Sequence, residues 1–343
     1  MIEHQEGKAV FKANLSGKGK GPGKAKGVFY NPAMKMSRDL HVALAKNISI
    51  KGKMLDGLAA SGIRGIRLAL EAGLDVEFCD TSRIATETIK ENLKMNKIKA
   101  DVYNKPVEEL LSENKYGCID IDPFGTPVPF LEAALDGLEI NGILGVSATD
   151  TAVLCGAKPS ICIKRYGAMS MKWVSAKEIG VRILLAKIHS LASEKSKGIQ
   201  PLLCYSEGHH LRVFVRLKED NGVKLKWINQ SMKIIDSEEK NAGGPLWVNE
   251  IIDESVIPTG YTGKLGKFFD TLKSEANGPP GLFDINDIAR ESKIGQTPRR
   301  DKIIACLKEA GYFASSSVFS PLGIKTNAPK NMRCEAVRLA QSL

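Results

Sequence analysis

The sequence lacks any apolar run approaching the ~18–20 residues that cross a bilayer. Its first residues, Met1-Ile2-Glu3-His4-Gln5-Glu6, are too polar for a secretory leader. Both observations point to a cytoplasmic chain. It also lacks a Cys-x-x-Cys pair: the seven cysteines stand apart at 79, 118, 155, 162, 204, 306 and 334. An odd, scattered set suits neither a disulfide framework nor a zinc ribbon, and most are expected to be small buried hydrophobes. Histidine is scarce, with five residues, and His209-His210 reads as a turn. No metal is expected, and no internal repeat is present.

What remains is an ordinary globular composition, 43% hydrophobic and 26% charged over 343 residues, a length that suits two domains. The net charge is +10. Such an excess suits a polyanionic partner, because clustered Lys and Arg displace counterions from phosphates. It suits a merely solvated basic surface equally well, so the distribution of charge decides. Residues 16–27, SGKGKGPGKAKG, are five glycines and four lysines with little that packs. Lys18, Lys20, Lys24 and Lys26 are candidates for a basic arm that orders on a phosphate backbone; the alternative is a loop with incidental charge.

From about residue 53 strands and helices alternate. Strands are expected at 53–58, 75–79, 101–103, 118–121 and 143–147, with helices at 63–72, 83–95 and 128–138 between them. This is the pattern of a parallel, doubly wound α/β sheet. A long helix over 172–192 leads to two strands, 201–205 and 212–217, joined so tightly that they must be antiparallel. A parallel sheet closed by an antiparallel hairpin is the class I, Rossmann-like methyltransferase pattern. Composition shifts near 222. Helices are expected at 265–276, 285–292 and 299–309, the last two around the turn Ile294-Gly295-Gln296-Thr297, and a wing starts near Gly311. The reading is therefore a methyltransferase domain over 1–222 and a smaller α+β domain over 223–343 with a helix-turn-helix-like segment for nucleic-acid recognition.

Leu55-Asp56-Gly57-Leu58-Ala59-Ala60-Ser61-Gly62-Ile63-Arg64 joins the first strand of the sheet to its helix, and its small residues let a ligand approach a helix N-terminus. The turn would suit a dinucleotide, or no ligand at all, equally well. Asp80 ends the next strand, 23 residues after Gly57, where an acid can accept both ribose hydroxyls of a nucleoside or simply cap the following helix. Asp120-Ile121-Asp122-Pro123-Phe124-Gly125 ends the fourth strand, and ligands bind outside such ends. The Asp122 carboxylate and the Pro123 carbonyl can accept hydrogen bonds from an exocyclic amine, while Phe124 offers a stacking face worth ~1–3 kcal/mol. A plain β-turn after a buried strand is the bland alternative. Upstream, Val28-Phe29-Tyr30 is either simply core or covers a cofactor and supplies a second aromatic face.

Taken together, FYNPAM with SRDL, DGLAASGIRGIR, DIDPFG, GILGVSATDTAVLCG and GGPLW resemble the tRNA guanine-26 N2,N2-dimethyltransferase family. The resemblance implies S-adenosyl-L-methionine as cofactor and tRNA as partner. It implies cofactor contacts from Arg38 and Arg64, with Arg38 toward the methionyl carboxylate, from the Asp56, Gly57 and Ser61 turn, and from Asp80 at the ribose. It places the adenine near Lys105-Pro106-Val107, where Pro106 and Val107 depart from the family's acidic-then-small pair. Asp122 resembles the catalytic acid, and Phe29 and Phe124 the aromatics flanking the target guanine. Ser37 stands where the family has Asn, and 224–244 holds no cysteine for the zinc site of some members. Rival readings are an rRNA or DNA amino-methyltransferase, a winged-helix regulator with a ligand-sensing domain, and a NAD-dependent oxidoreductase.

Overall fold

The alternation of apolar runs and amphipathic stretches after residue 53 folds into β-α units, preceded by elements that carry the N-terminus onto them. A computed structural model describes residues 1–15, 28–220 and 222–342. In chain order the elements are β1 (Ile2–Glu6), β2 (Ala9–Leu15), β3 (Phe29–Tyr30), α1 (Lys35–Asn47), β4 (Met54–Asp56), α2 (Ile63–Ala72), β5 (Val76–Cys79) and α3 (Arg83–Met95). There follow β6 (Val102–Tyr103), α4 (Val107–Glu113), β7 (Tyr116–Ile121), α5 (Val128–Gly137), β8 (Leu138–Ala148), α6 (Thr151–Leu154), α7 (Pro159–Tyr166) and α8 (Ala176–Ser193). The chain continues through β9 (Lys197–Glu207), β10 (His210–Glu219), β11 (Lys226–Ile228), β12 (Ile234–Ile235), β13 (Gly243–Leu246) and α9 (Gly263–Glu275). It ends with β14 (Phe283–Asp284), α10 (Ile285–Glu291), α11 (Arg300–Glu309), β15 (Ala314–Ser317), β16 (Ser320–Thr326) and α12 (Lys330–Ser342).

The main sheet has the order β6-β5-β4-β7-β8-β10-β9. Strand order reverses between β4 and β7, which opens a crevice at their C-terminal ends. Strands β4, β5, β6, β7 and β8 are parallel to their neighbours. Only two residues join β9 to β10, so that pair is an antiparallel hairpin. The register sets Asp56 beside Asp120 and Asp120 beside Gly145. One row across the sheet thus holds two acids and a gap. Strand β7 is buried along its whole length, as a central parallel strand covered on both faces must be.

Two compact units make up the chain. One comprises residues 1–149, 188–200 and 212–222; the other comprises 150–187, 201–211 and 223–343. Strand-and-helix alternation alone assigns 150–187 and 201–211 to the first domain. Residues 201–211 join the second unit through Leu202 O, which accepts from Asp253 N at 2.8 Å, and 150–187 join it through the start of α8. Ser175 Oγ donates to Leu282 O at 3.1 Å, and buried Glu178 accepts from Arg182, Lys325 and Gly281 N at 2.8–3.0 Å. Removing one partner of such a buried ionic group costs about 3–5 kcal/mol.

In the first unit, β1 and β2 form an antiparallel hairpin and β3 adds parallel to β2. Strand β2 rests on α3 through two asparagines one turn apart. Asn92 Oδ1 accepts from Lys12 N at 2.7 Å and Asn92 Nδ2 donates to Lys12 O at 3.1 Å; Asn96 makes the same pair with Val10, at 3.0 and 2.6 Å. The two side chains thus pair with the strand as a neighbouring backbone would. In the second unit, α10, α11, the β15–β16 hairpin and α12 enclose Ile285, Ile288, Ile303, Leu307, Ile324 and Val337. The expected helix-turn-helix-like segment is α10–α11, and β15–β16 is its wing. Among the described residues no helix is long and apolar enough to cross a membrane.

Candidate active site

Four strand ends supply the site. The turn after β4 is stitched to both neighbouring strands: Gly57 N donates to Asp120 O at 3.0 Å and Ala59 N to Cys79 O at 3.1 Å. Its tightness requires left-handed backbone at Ala60 (φ 48°) and Gly62 (φ 73°), a conformation glycine adopts without strain at the start of α2. Ala60 N and Ser82 N donate to the two oxygens of Asp80, at 2.9 and 2.8 Å. The Asp80 carboxylate is thereby fixed at the end of β5, and each oxygen keeps acceptor capacity for a hydroxyl. Because Asp80 accepts only one backbone bond per oxygen, Asp80→Ala is expected to weaken S-adenosyl-L-methionine binding before it alters folding. Calorimetry checks this; an unchanged cofactor affinity would make Asp80 a turn residue only.

Asp56 lies differently. Its carboxylate is 4% exposed and accepts from Gly65 N at 2.9 Å, so it holds the first turn of α2 rather than facing the crevice. Burial, then the charge of Asp120 beside it in register, push its pKa up to about 7. Ser61 is buried, and its carbonyl accepts from Asn92 Nδ2 at 2.9 Å. Pro106 is exposed ahead of α4, while Val107 is buried.

Asp122, Pro123 and Phe124 follow β7. Phe124 is 59% exposed, and its ring meets Phe29 edge to face with centroids 5.0 Å apart. The structure therefore brings together the two aromatics expected to flank a base. Arg64 reaches from α2 to both acids of the motif, Nη2 pairing with Asp122 Oδ2 and Nε lying 3.1 Å from Asp120 Oδ2. Arg38 is buried in a two-pronged pair with Glu6, at 2.7 and 2.6 Å, and Arg67 and Tyr30 join the same carboxylate at 2.8 Å. Burial alone would raise Glu6, but the hydrogen bonds and charge of Arg38, with Tyr30 and Arg67, hold it at about 2. Lys18, Lys20, Lys24 and Lys26 lie outside the described residues.

Sequence reasoning missed the network behind Asp122. Asp120, wholly buried, pairs with Arg212 Nη2, and Arg212 Nη1 donates to Ser147 Oγ at 2.9 Å. A Cβ at Gly145 would lie 2.6 Å from Arg212 Nη2 and 2.7 Å from Asp120 Oδ1, so only glycine leaves room for this pair. His41 Nδ1 lies 3.7 Å from Asp120 Oδ1; burial and then the charges of Arg212 and Arg64 push its pKa well down, so it packs as a neutral ring against Phe214. The available signal was an acid inside an apolar strand, Cys118-Ile119-Asp120-Ile121, which demands a buried cation. A cavity of about 560 Å³ opens at the opposite, N-terminal ends of β4–β6, lined by Lys53, Asp75, Glu77, Lys90, Lys94 and Asp101. None of the described site residues lines it.

The family model described as "N2,N2-dimethylguanosine tRNA methyltransferase" matches residues 11–237 and 221–338. The tRNA (guanine(26)-N(2))-dimethyltransferase of Pyrobaculum aerophilum is 34% identical over 318 residues, covering 88% of this chain and 86% of that one. Its namesake from Thermoplasma acidophilum is 33% identical over 315 residues, with 90% of each covered. The solved structure of Trm1 from Pyrococcus horikoshii with S-adenosyl-L-methionine superposes with a TM-score of 0.87 at 33% identity, over 98% of this chain and 100% of that one. The chain belongs to the N2,N2-dimethylguanosine tRNA methyltransferase family.

Proposed function

We propose that this protein methylates the exocyclic N2 of guanine 26 in tRNA, using S-adenosyl-L-methionine, to give N2,N2-dimethylguanosine. The observation that carries the reading is Asp122 at the end of β7, gripped by Arg64 and followed by exposed Phe124 against Phe29. The relatives' names supply the base and its position.

The residues present fit the cofactor. Asp80 offers two oriented carboxylate oxygens suited to ribose hydroxyls. The 57–62 turn and the Pro106-Val107 backbone would border the nucleoside. Arg38, whose Nε and Nη2 are taken by Glu6 and Asn31 O, would offer Nη1 to the methionyl carboxylate. Bound there, the cofactor supplies an electrophilic sulfonium methyl group.

The protein's own part is positioning and proton handling. Guanine N2 is a poor nucleophile because its lone pair is delocalised into the ring. Asp122 and the Pro123 carbonyl accept its N–H bonds and fix the direction of the lone pair, and Asp122 takes the proton released on methylation. The monomethyl product keeps one N–H for Asp122, so a second round needs no new group. Phe124 and Phe29 hold a base that has left the tRNA stack. A role in tRNA modification suits a cytoplasmic enzyme. The test is purified protein with labelled cofactor and unmodified tRNA, followed by nucleoside analysis. N2-methylated guanosine at position 26 supports the reading; its absence overturns it.

The lysines of 16–27 bear on affinity. Changing Lys18, Lys20, Lys24 and Lys26 to Gln is expected to weaken tRNA binding and to lower the log–log salt slope by somewhat under one unit per lost phosphate contact. Choice of the target guanine is expected to survive, since phosphate contacts carry no sequence information. Binding isotherms at several salt concentrations decide it, and identical slopes would remove the arm from the substrate site.

A further inference from the structure

Residues 151–177 contain five cations, Lys158, Lys164, Arg165, Lys172 and Lys177, and no Asp or Glu. On other helices several surface cations pair with an acid one turn away, as in Lys35–Asp39, Arg83–Glu87 and Arg290–Asp287. Among the described residues, Arg165 is the one cation of this stretch with a carboxylate partner, Asp150 at 2.8 Å. Lys158, Lys164 and Lys172 are exposed, and among the described residues none of them forms an ion pair.

The segment is built, not draped. Lys158 N donates to Ala152 O at 3.0 Å, and Ser170 Oγ to Val153 O at 2.7 Å. A Cβ at Gly156 would lie 2.2–2.3 Å from the backbone of Met171 and Lys172, so the strand of chain carrying Lys172 lies directly on the turn that leads to Lys158. Arg165 and Tyr166 both grip the Asp150 carboxylate, which fixes the end of α7 and with it Lys164. Between these lysines Ile161 and Ile163 are 38% and 47% exposed. A segment that served only solubility would mix both signs; this one carries no acid of its own to neutralise its lysines.

We infer that this face of the second unit, Lys158, Lys164 and Lys172 around the α7 isoleucines, is a docking surface for the phosphate backbone of tRNA. The inference rests on the reading of tRNA as substrate. The lysines meet phosphates as point charges, and the isoleucines give apolar contact to sugar edges that a purely ionic surface lacks.

The test uses the full chain and unmodified tRNA. A Lys158→Gln, Lys164→Gln, Lys172→Gln triple variant is expected to lower the log–log salt slope of tRNA binding by about 2–3 units, and each single variant by somewhat under one. A control triple, Lys90→Gln, Lys94→Gln, Lys99→Gln, removes equal charge beside the cavity at the other strand ends and is expected to leave the slope nearly unchanged. Equal flattening by both triples would reduce the effect to net charge and overturn the assignment, as would an unchanged slope in the first triple and its singles. Nucleoside analysis of wild-type product on the same tRNA is read separately. Methylated tRNA with an unaltered slope sinks this surface alone, whereas unmethylated tRNA sinks the substrate reading beneath it.

Discussion

Asp122→Ala is expected to lower methyl transfer by about 10²–10⁴-fold, the contribution typical of a positioned acid–base group. Cofactor affinity should change little, because the contacts expected to hold the nucleoside come from Asp80 and the 57–62 turn, which are fixed by backbone hydrogen bonds of their own. Arg64 loses Asp122 and keeps Asp120. Asp122→Asn separates two duties of the side chain. An amide still orients the amine through its carbonyl oxygen but cannot take the released proton. If orientation were all that mattered, Asn would retain most of the rate; the proton role predicts that Asn falls nearly as far as Ala. Single-turnover rates at saturating tRNA and cofactor distinguish them, and an Ala variant above about a tenth of wild type would contradict the assignment altogether.

The parts legible in the sequence are those with local signals. Helix α2 is bracketed by Gly62 and Gly73, both left-handed, and α3 is started by the Ser82 side chain, which accepts from Ala85 N. The bounds expected for these two helices match for that reason. Asp80 and Asp122 were singled out because strand ends in an alternating α/β pattern sit at the ligand crevice, and they do follow the ends of β5 and β7. Long-range ionic pairing had no such signal. Glu6 meets Arg38 and Arg67 across 32 and 61 residues, and Asp120 meets Arg212 across 92. The resemblance gives Arg38 and Arg64 to the cofactor; the structure shows that each is first held by a carboxylate of the protein. The N-terminal hairpin did carry a period of two, since Ala9, Phe11 and Ala13 are all wholly buried, but the stretch is short and two of its three buried residues are alanines, a weak apolar signal. The unit division, too, depends on Ser175, Glu178 and Arg182 finding partners more than sixty residues away.

Asp120→Asn is expected to damage both stability and catalysis, and the two effects are separable. Arg212 is wholly buried, and its Nη2 pairs with Asp120. Removing that charge leaves a buried guanidinium poorly compensated, at a cost of about 3–5 kcal/mol, or a fall in melting midpoint on the order of 10 °C. Asp120 also holds Nε of Arg64, whose other end grips Asp122. Slackening that hold lets Asp122 drift from the amine, so the rate constant at saturating substrates is expected to fall. A second variant, Asp120→Asn with Arg212→Met, removes the stranded charge and should restore most of the lost melting midpoint. It does nothing for Arg64, whose Nε still lacks the Asp120 carboxylate. The double variant is therefore expected to be stable and slow. If its rate returned together with its stability, Asp120 would matter only as the counter-charge of Arg212. If stability returned without rate, the buried acid of β7 is a positioning residue, acting on the reaction through Arg64 and Asp122.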